Sequence, residues 1–488
     1  MRFLLLIIAI AVSSVATLAS ESTLQHQAGP SGSVAAQVSA SEPILTDRVS
    51  QHGVTWEFTE KAPVGRFVNG DYYVIGPVTI AAITPRPQNE RNGSVLNLPP
   101  VNARSGFDSR VAGGRYDPSL VVRLPVAMKP GDALVSSISV ETMRELPAPL
   151  RPADRSHSPV RSVAVLTCLG EPVPADAFRP SYCDRQQRIY LARNLRRDLL
   201  PRLPPAEGPP GEAGWVSKAD PQEWADRFQR PWIDTCAFNF DVPAEYMPHY
   251  GREVGRAVGI ASLVLMCDFP AEQKERLLVN FVQYGIDLLG IVRAGHPGWP
   301  AHGGHGSGRK WPIVFAGIML GDPEIQAFQV KNPQARFGED MQTMHGKGWN
   351  GAKALYAGHV GAAGSKSEKG WGAYEHLHPS QWQSMLGENY RRCCTSNAWV
   401  GQALAAHIMH AEKAWNHEAF FDYVDRWMEE DDTESIKLIR QATGQDYAAS
   451  WLRQGQAWDP FVKAMWTTYR HNLPPAVTPT APAGRNTE

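Results

Sequence analysis

The hydrophobic period of this chain changes once, at a proline- and glycine-rich break over residues 201–214, PRLPPAEGPPGEAG. Before the break, short β-branched and aromatic runs are separated by Asn, Gly and Pro: VTWEF, FVNGDYYVIGPVTIAAI, SLVVRLPVAM, ALVSSISV and SVAVLTCL. Such runs have the length and composition of strands. Asn69-Gly70 between two of them predicts a hairpin turn, because both residues tolerate positive φ. After the break, Val254, Val258, Ala261 and Leu265 recur at steps of four and three, as do Leu278, Phe281, Val282, Gly285, Leu288, Leu289 and Val292. That spacing lays one stripe along a helix. Pro270 predicts a helix start, further helices are expected at 312–320, 397–413, 417–430 and 434–442, and Asp459-Pro460 reads as the cap and first residue of a last one.

The expected fold class is therefore α+β multidomain. A β-rich, sandwich-like module spans 49–200, the linker spans 201–214, and a mostly helical domain spans 215–472. Helices joined by short breaks suit paired hairpins arranged as a ring, an α/α toroid, although no fixed-period repeat is visible. The 488 residues agree with two large domains at roughly 100–200 residues each.

The chain begins MRFLLLIIAIAVSSVATLAS. Arg2, the apolar run Phe3 to Val12, and small residues at Thr17 and Ala19 read as a signal peptide over 1–20. The run falls short of the ~20 residues that span a bilayer, so a secreted or periplasmic protein with no stable membrane insertion is expected. Residues 21–48, rich in Ser, Ala, Gly and Gln, read as a flexible lead-in, and 473–488 as a disordered tail. Lys plus Arg (48) nearly cancel Asp plus Glu (49), which argues against a nucleic-acid partner. An anionic ligand stays compatible, because local positive patches exist on neutral proteins. Oligomeric state is left open. Among six cysteines, Cys168 and Cys183 are near enough to staple one loop, while Cys393–Cys394 read as buried small hydrophobes.

The polar and aromatic residues concentrate between Gly295 and Arg392. GHPGWPAHGGHGSGRKWPI carries His296, His302, His305, Arg309 and Lys310 among glycines that let backbone approach a ligand. MQTMHGKGWNG adds His345 and Trp349, GSKSEKGWGAYEHLHPSQW adds Trp371, Tyr374, Glu375, His376 and His378, and GENYRRCCTSNAW adds Glu388, Asn389, Tyr390, Arg391 and Arg392. Converging from several loops, these would line a cationic, aromatic cleft in which sugars stack on Trp and a carboxylate meets Arg, Lys or His. An incidental surface loop, core tryptophans and structural ion pairs are the plainer readings. The segment from Arg230 to Glu253 offers a further candidate wall through Arg230, Trp232, Asn239, His249 and Tyr250, although a structural entry to the first strong helix is the favoured reading, because Pro231, Pro243 and Pro248 order it. In WNHEAFFDYVDRWMEEDD the apolar stripe reads as core. A divalent metal on His302, His305 and nearby carboxylates is an alternative, but no spacing such as HExxH occurs and no cofactor is predicted.

The module GRFVNGDYYVIGPVTI followed by helical hairpins, with AWNHEAFFDYVDRWM late in the chain, resembles secreted bacterial α/α-toroid proteins that degrade acidic polysaccharides, of the alginate, glucuronan and heparin lyase type. The resemblance runs loosely over residues 50–470, and no NNHxYW-type stretch occurs. It implies β-elimination on a uronate-containing glycan. Tyr390 or Tyr374 would serve as acid or base, His305 or His345 as base or neutraliser, and Arg309, Asn389 and Arg391 would hold the carboxylate. His302, Lys310, Trp349, Trp371, His376, Arg391 and Arg392 would contact substrate. The sugar C5–H is a poor acid until the carboxylate charge is spread, so stabilisation of the enolate-like intermediate has to be large. Two rivals follow: a glycoside hydrolase using a pair from Glu339, Asp340, Glu375 and Glu388, and a non-catalytic glycan-binding envelope protein.

Overall fold

The computed structural model describes residues 42–100, 104–141, 158–206, 219–236, 241–361 and 371–477. Eight strands form one sheet: β1 (Ile44–Gln51), β2 (Val54–Arg66), β3 (Tyr72–Ile75), β4 (Val78–Thr84), β5 (Ser94–Leu96), β6 (Val126–Met128), β7 (Ala133–Ser139) and β8 (Val160–Leu169). Their order is β5-β7-β8-β3-β2-β4-β6, with β1 also on β2. Only the β3–β8 pair is parallel among these ladders. Long β2 meets β4 through Thr55 to Phe58 and β3 through Val64 to Arg66. Register shifts at Glu57/Phe58 and at Thr46/Arg48 mark bulges. Bulges bend a strand and increase its twist, and the sheet curls into a half-barrel.

Alternation along β7 and β8 divides the core. Leu134, Ala164, Leu166 and Cys168 face the half-barrel interior with Trp56, Val74 and Ile80. Val135, Val163 and Val165 point the other way, into the large helical core. The second layer is therefore made by helices and by residues 231–236 and 241–247. Among the described residues no second large sheet completes the expected sandwich. Both faces of β8 are apolar, and the helical half has the apolar surface to cover one of them.

The helices of eight or more residues are α1 (Pro221–Phe228), α2 (Gly251–Met266), α3 (Ala271–Arg293), α4 (Lys310–Leu320), α5 (Ser396–Ile408), α6 (Glu418–Glu429), α7 (Thr433–Thr443) and α8 (Pro460–Tyr469). Asp459 caps α8 by accepting from the Phe461 and Val462 amides. Helices α2 and α5 touch at Gly259 and Gly401, where a Cβ on Gly259 would stand 2.9 Å from the Gly401 Cα. The stripe of Phe420, Phe421, Val424 and Trp427 on α6 is buried. The two halves are tied by fully buried Arg179, whose Nε donates to Asp71 beside β3 and whose Nη2 donates to Asp287 on α3, each at 2.6 Å. Residues Ser39–Glu488 cluster as one unit. Among the described residues no helix is long and apolar enough to cross a membrane.

Several expectations need correction. The lead-in was expected to reach residue 48, but β1 begins at Ile44, because β2 extends far enough to pair with it through Val64. Of SLVVRLPVAM only Val126–Met128 is strand. The first part of the expected linker is docked: Leu203 N donates to the Met266 carbonyl, and Tyr469 donates to the Pro204 carbonyl at 2.6 Å. Cys168 and Cys183 are separate buried thiols. The disulfide joins Cys393 to Cys394, which therefore are not simple small hydrophobes. Residues 1–41, 207–218 and 478–488, which contain the signal-peptide reading, the rest of the linker and most of the tail, lie outside the described residues.

Candidate functional site

Four segments bring one imidazole–phenol cluster together. The loop between α3 and α4 supplies His302 and His305. Tyr250, at the N-terminus of α2, adds a phenol next to buried His249. A short hairpin, Thr343–His345 with Ala354–Tyr356, leads into His359. Trp371 follows, and Tyr390 closes the short helix Leu386–Tyr390.

The ring contacts are continuous. Tyr250 meets His305 at 4.6 Å between centroids, His302 meets His359 at 4.8 Å, and His302 meets His305 at 5.8 Å. His359 lies 4.2 Å from Tyr390 and 5.3 Å from Trp371. The backbone fixes them: Gly303 N donates to the His359 carbonyl at 2.8 Å, and His359 N to the Trp371 carbonyl at 2.9 Å. The Tyr250 hydroxyl accepts from Gly304 N at 3.0 Å. Glycine is required at 303, where φ is 53° and a Cβ would stand 2.5 Å from the Tyr390 ring. His302, His305, Tyr250, Trp371 and Tyr390 are each partly exposed, while His359 is 2% exposed. Its Nδ1 meets no hydrogen-bond partner among the described residues.

Burial sets the charge state. Desolvation, reinforced by His302 and Arg309, pushes His305 down to about 3. Desolvation and His302 push His359 down to about 4. Burial raises Tyr250 to about 12. At neutral pH His305 and His359 are neutral imidazoles beside the protonated Tyr250 phenol. Such a set can accept and donate protons at a bound ligand, with the Trp371 face for stacking.

Arg309 stands behind this cluster rather than in it. It is fully buried, with Nε and Nη2 each 2.9 Å from the Asp234 carboxylate, and Nη1 donates to the His305 and Ser307 carbonyls. Its charge is thus committed to Asp234, and its expected role on a ligand carboxylate gives way to shaping the histidine loop. Lys310 is likewise buried against Asp340. Arg391 bonds Tyr423, Glu388 and Gln454, and Arg392 bonds Glu388 and Asp432. Neither arginine is presented to a ligand, because both are buried and their charge is paired with Glu388, and for Arg392 also with Asp432. Tyr374 is buried and donates to Glu388 at 2.5 Å. His345 is exposed and pairs with Asp422 at 2.8 Å. Asn389 is exposed and accepts from the Tyr447 hydroxyl. Trp349 lies 5.5 Å from His378, with its amide on the Glu375 carbonyl, and His376 is exposed.

The carboxylates have similar fates. Glu339 is buried, accepts from Gly308 N and Gln402, and is pushed up by burial. Glu375 is held by Arg426 at 3.0 Å. Burial works to raise Glu388, yet Arg392 and Arg391 bring it down to about 2. Among the described residues no group of three or more His, Cys, Asp or Glu side chains is arranged to hold a metal ion.

One residue of the cluster escapes sequence reading and another is under-weighted by it. Tyr250, in a candidate wall for which a structural role is favoured, packs on His305. His359 was not singled out, although AGHVGAAG repeats the histidine-among-glycines texture of the 295–308 loop. Trp232 is core, Arg230 pairs with Glu245, and Asn239 lies outside the described residues. No protein-family model, curated protein or solved structure matches the chain, so the chemistry of this cluster is what carries the functional argument.

Proposed function

We propose that the protein is a secreted or periplasmic polysaccharide lyase that cleaves a uronate-containing glycan by β-elimination, with the His302–His305–His359 cluster and its two tyrosines as the acid–base machinery. One observation carries this reading: three imidazoles, two of them held neutral by burial, share contacts with Tyr250, Tyr390 and Trp371. A neutral imidazole takes the C5 proton, and a phenol gives a proton to the leaving glycosidic oxygen. A uronate entering the cluster brings negative charge beside His305 and His359, which raises their proton affinity and makes each a better base when substrate is bound. The carboxylate is met by imidazole and phenol donors, since the neighbouring guanidinium groups are occupied. The helical hairpins belong to this reading as part of an α/α toroid, on the packing of α2 with α5 and of α3 with α4.

The hydrolase rival has less support. Glu375 and Glu388 are locked to arginines, Asp340 to Lys310, and Glu339 to a backbone amide and Gln402. Incubation with alginate, glucuronan, hyaluronan and heparin-type polymers tests the proposal. Cleavage with ultraviolet absorbance from a conjugated double bond is expected on one of them. Shortened chains with reducing ends and no absorbance would mean hydrolysis, and unchanged chain length on every polymer would leave only binding.

A further inference from the structure

Tyr390 is followed at once by a π-helical turn, Arg391–Thr395, and the Cys393–Cys394 disulfide lies inside that turn. A π-turn inserts a residue into a helix and re-aims what precedes it. Here the displaced carbonyls are taken up locally: Thr395 Oγ1 donates to the Tyr390 carbonyl at 3.1 Å, and Asn397 Nδ2 to the Arg392 carbonyl at 3.2 Å.

Both cysteines touch the histidine site. The histidine loop rides on the Cys394 carbonyl, so closely that a Cβ on Gly304 would stand 2.4 Å from its oxygen. Arg252 donates to the Cys393 carbonyl at 3.1 Å and reaches the Cys394 sulfur at 3.8 Å, while its guanidinium lies 5.4 Å from the Tyr250 ring centroid. Through these contacts the disulfide meets the segments that carry Tyr390, His302, His305 and Tyr250. Cys393 is partly exposed, so a small reductant can reach it.

We propose that the Cys393–Cys394 disulfide is the positioning element of this site: closed, it holds Tyr390 and the Gly303–His305 loop together, and a dithiol reductant that opens it disables the site reversibly. In the opening step a thiolate of the dithiol attacks the Cys393 sulfur, and the Cys394 thiolate leaves and is protonated. The second thiol of the reductant then resolves the mixed disulfide, so the reductant ends as a disulfide and the protein holds two thiols. Two unbonded sulfurs cannot share the space of a bond, so they separate, and the constraint on the turn beneath Gly304 is released.

The test uses the intact protein with and without dithiothreitol. Alkylation after denaturation, read by mass, should modify four cysteines without reductant and six with it; six without reductant would overturn the proposal. Histidine ring resonances followed against pH give a readout independent of activity. Opening the disulfide, or the Cys393→Ser/Cys394→Ser pair in case chemical reduction is incomplete, should raise the depressed titrations of His305 and His359 by about one unit or more as water enters, with the thermal transition retained. Unchanged titrations in the opened protein would overturn the positioning role. Release of unsaturated ends, measured with and without dithiothreitol and expected to fall when the disulfide is opened, is the one arm that rests on the proposed lyase activity; undiminished release from the opened protein would overturn the positioning role. If neither redox form produces unsaturated ends while the titrations still shift, the activity assignment fails and the positioning role stands.

Discussion

At the scale of single residues, the histidine cluster trades stability for neutral imidazoles. His305 and His359 titrate well below the ordinary value of 6.5, first because they are desolvated. From 6.5 down to about 4 for His359 and about 3 for His305, the unfolded chain binds more protons there than the folded one, so the cluster's contribution to stability rises with pH across that window and is lost as pH falls through it. Asp241 and Asp287, raised by burial to about 7 and about 6, act in the opposite sense, so the comparison has to be made against a variant. We expect His359→Asn to flatten the decline in melting temperature between pH 6.5 and 4; a decline of unchanged slope would show that His359 is not depressed. For turnover, His359→Ala, His305→Ala and Tyr390→Phe are each expected to lower kcat on the order of 10²–10⁴-fold, the usual worth of a positioned acid or base. Melting curves serve as the control for folding.

At the scale of elements, small residues decide how closely the site's supports approach. Helices α2 and α5 meet glycine to glycine, with only 2.9 Å between an added Cβ on Gly259 and the Gly401 Cα. Backbone cannot yield there as a flexible side chain would. Gly259→Ala is expected to destabilise by about 1–3 kcal/mol, as overpacking of a close-packed interior does, measurable as a lower denaturant midpoint with unchanged slope. Because α2 begins at Gly251 beside Tyr250, and α5 follows the disulfide turn, the same crossing sets two walls of the cluster relative to each other.

At the scale of the molecule, the half-barrel and the helical region share a core through β7 and β8 and share an ion triad through Arg179. Removing the cation would leave Asp71 and Asp287 buried without it. Arg179→Met is expected to cost about 3–5 kcal/mol. Arg179→Lys should restore little, because one ammonium cannot reproduce the two-armed geometry. Calorimetry should show one transition for the parent protein; two independent transitions would mean that the triad does not couple the halves.

The sequence by itself determined the change from strands to helices, the Asn69-Gly70 turn, most of the long helices and the cap at Asp459, because each is written in local periodicity or in the conformational habits of one or two residues. It also offered the 295–308 loop and Tyr390 as candidates, through polar and aromatic residue types crowded among glycines. Only the tertiary structure decided which of those residues meet. Arg309, Arg391 and Arg392 looked like ligands for an anion, but a buried guanidinium needs a carboxylate: Asp234 supplies it to Arg309 from 75 residues away, Glu388 to Arg391 and Arg392 from 3 and 4, and Asp432 to Arg392 from 40. Tyr250 and His359 gained their places from contacts far apart along the chain, and Cys393–Cys394 became a disulfide beneath the site. Long-range partners leave no local period to read, and desolvation, which sets the histidines' charge, exists only once the chain is packed.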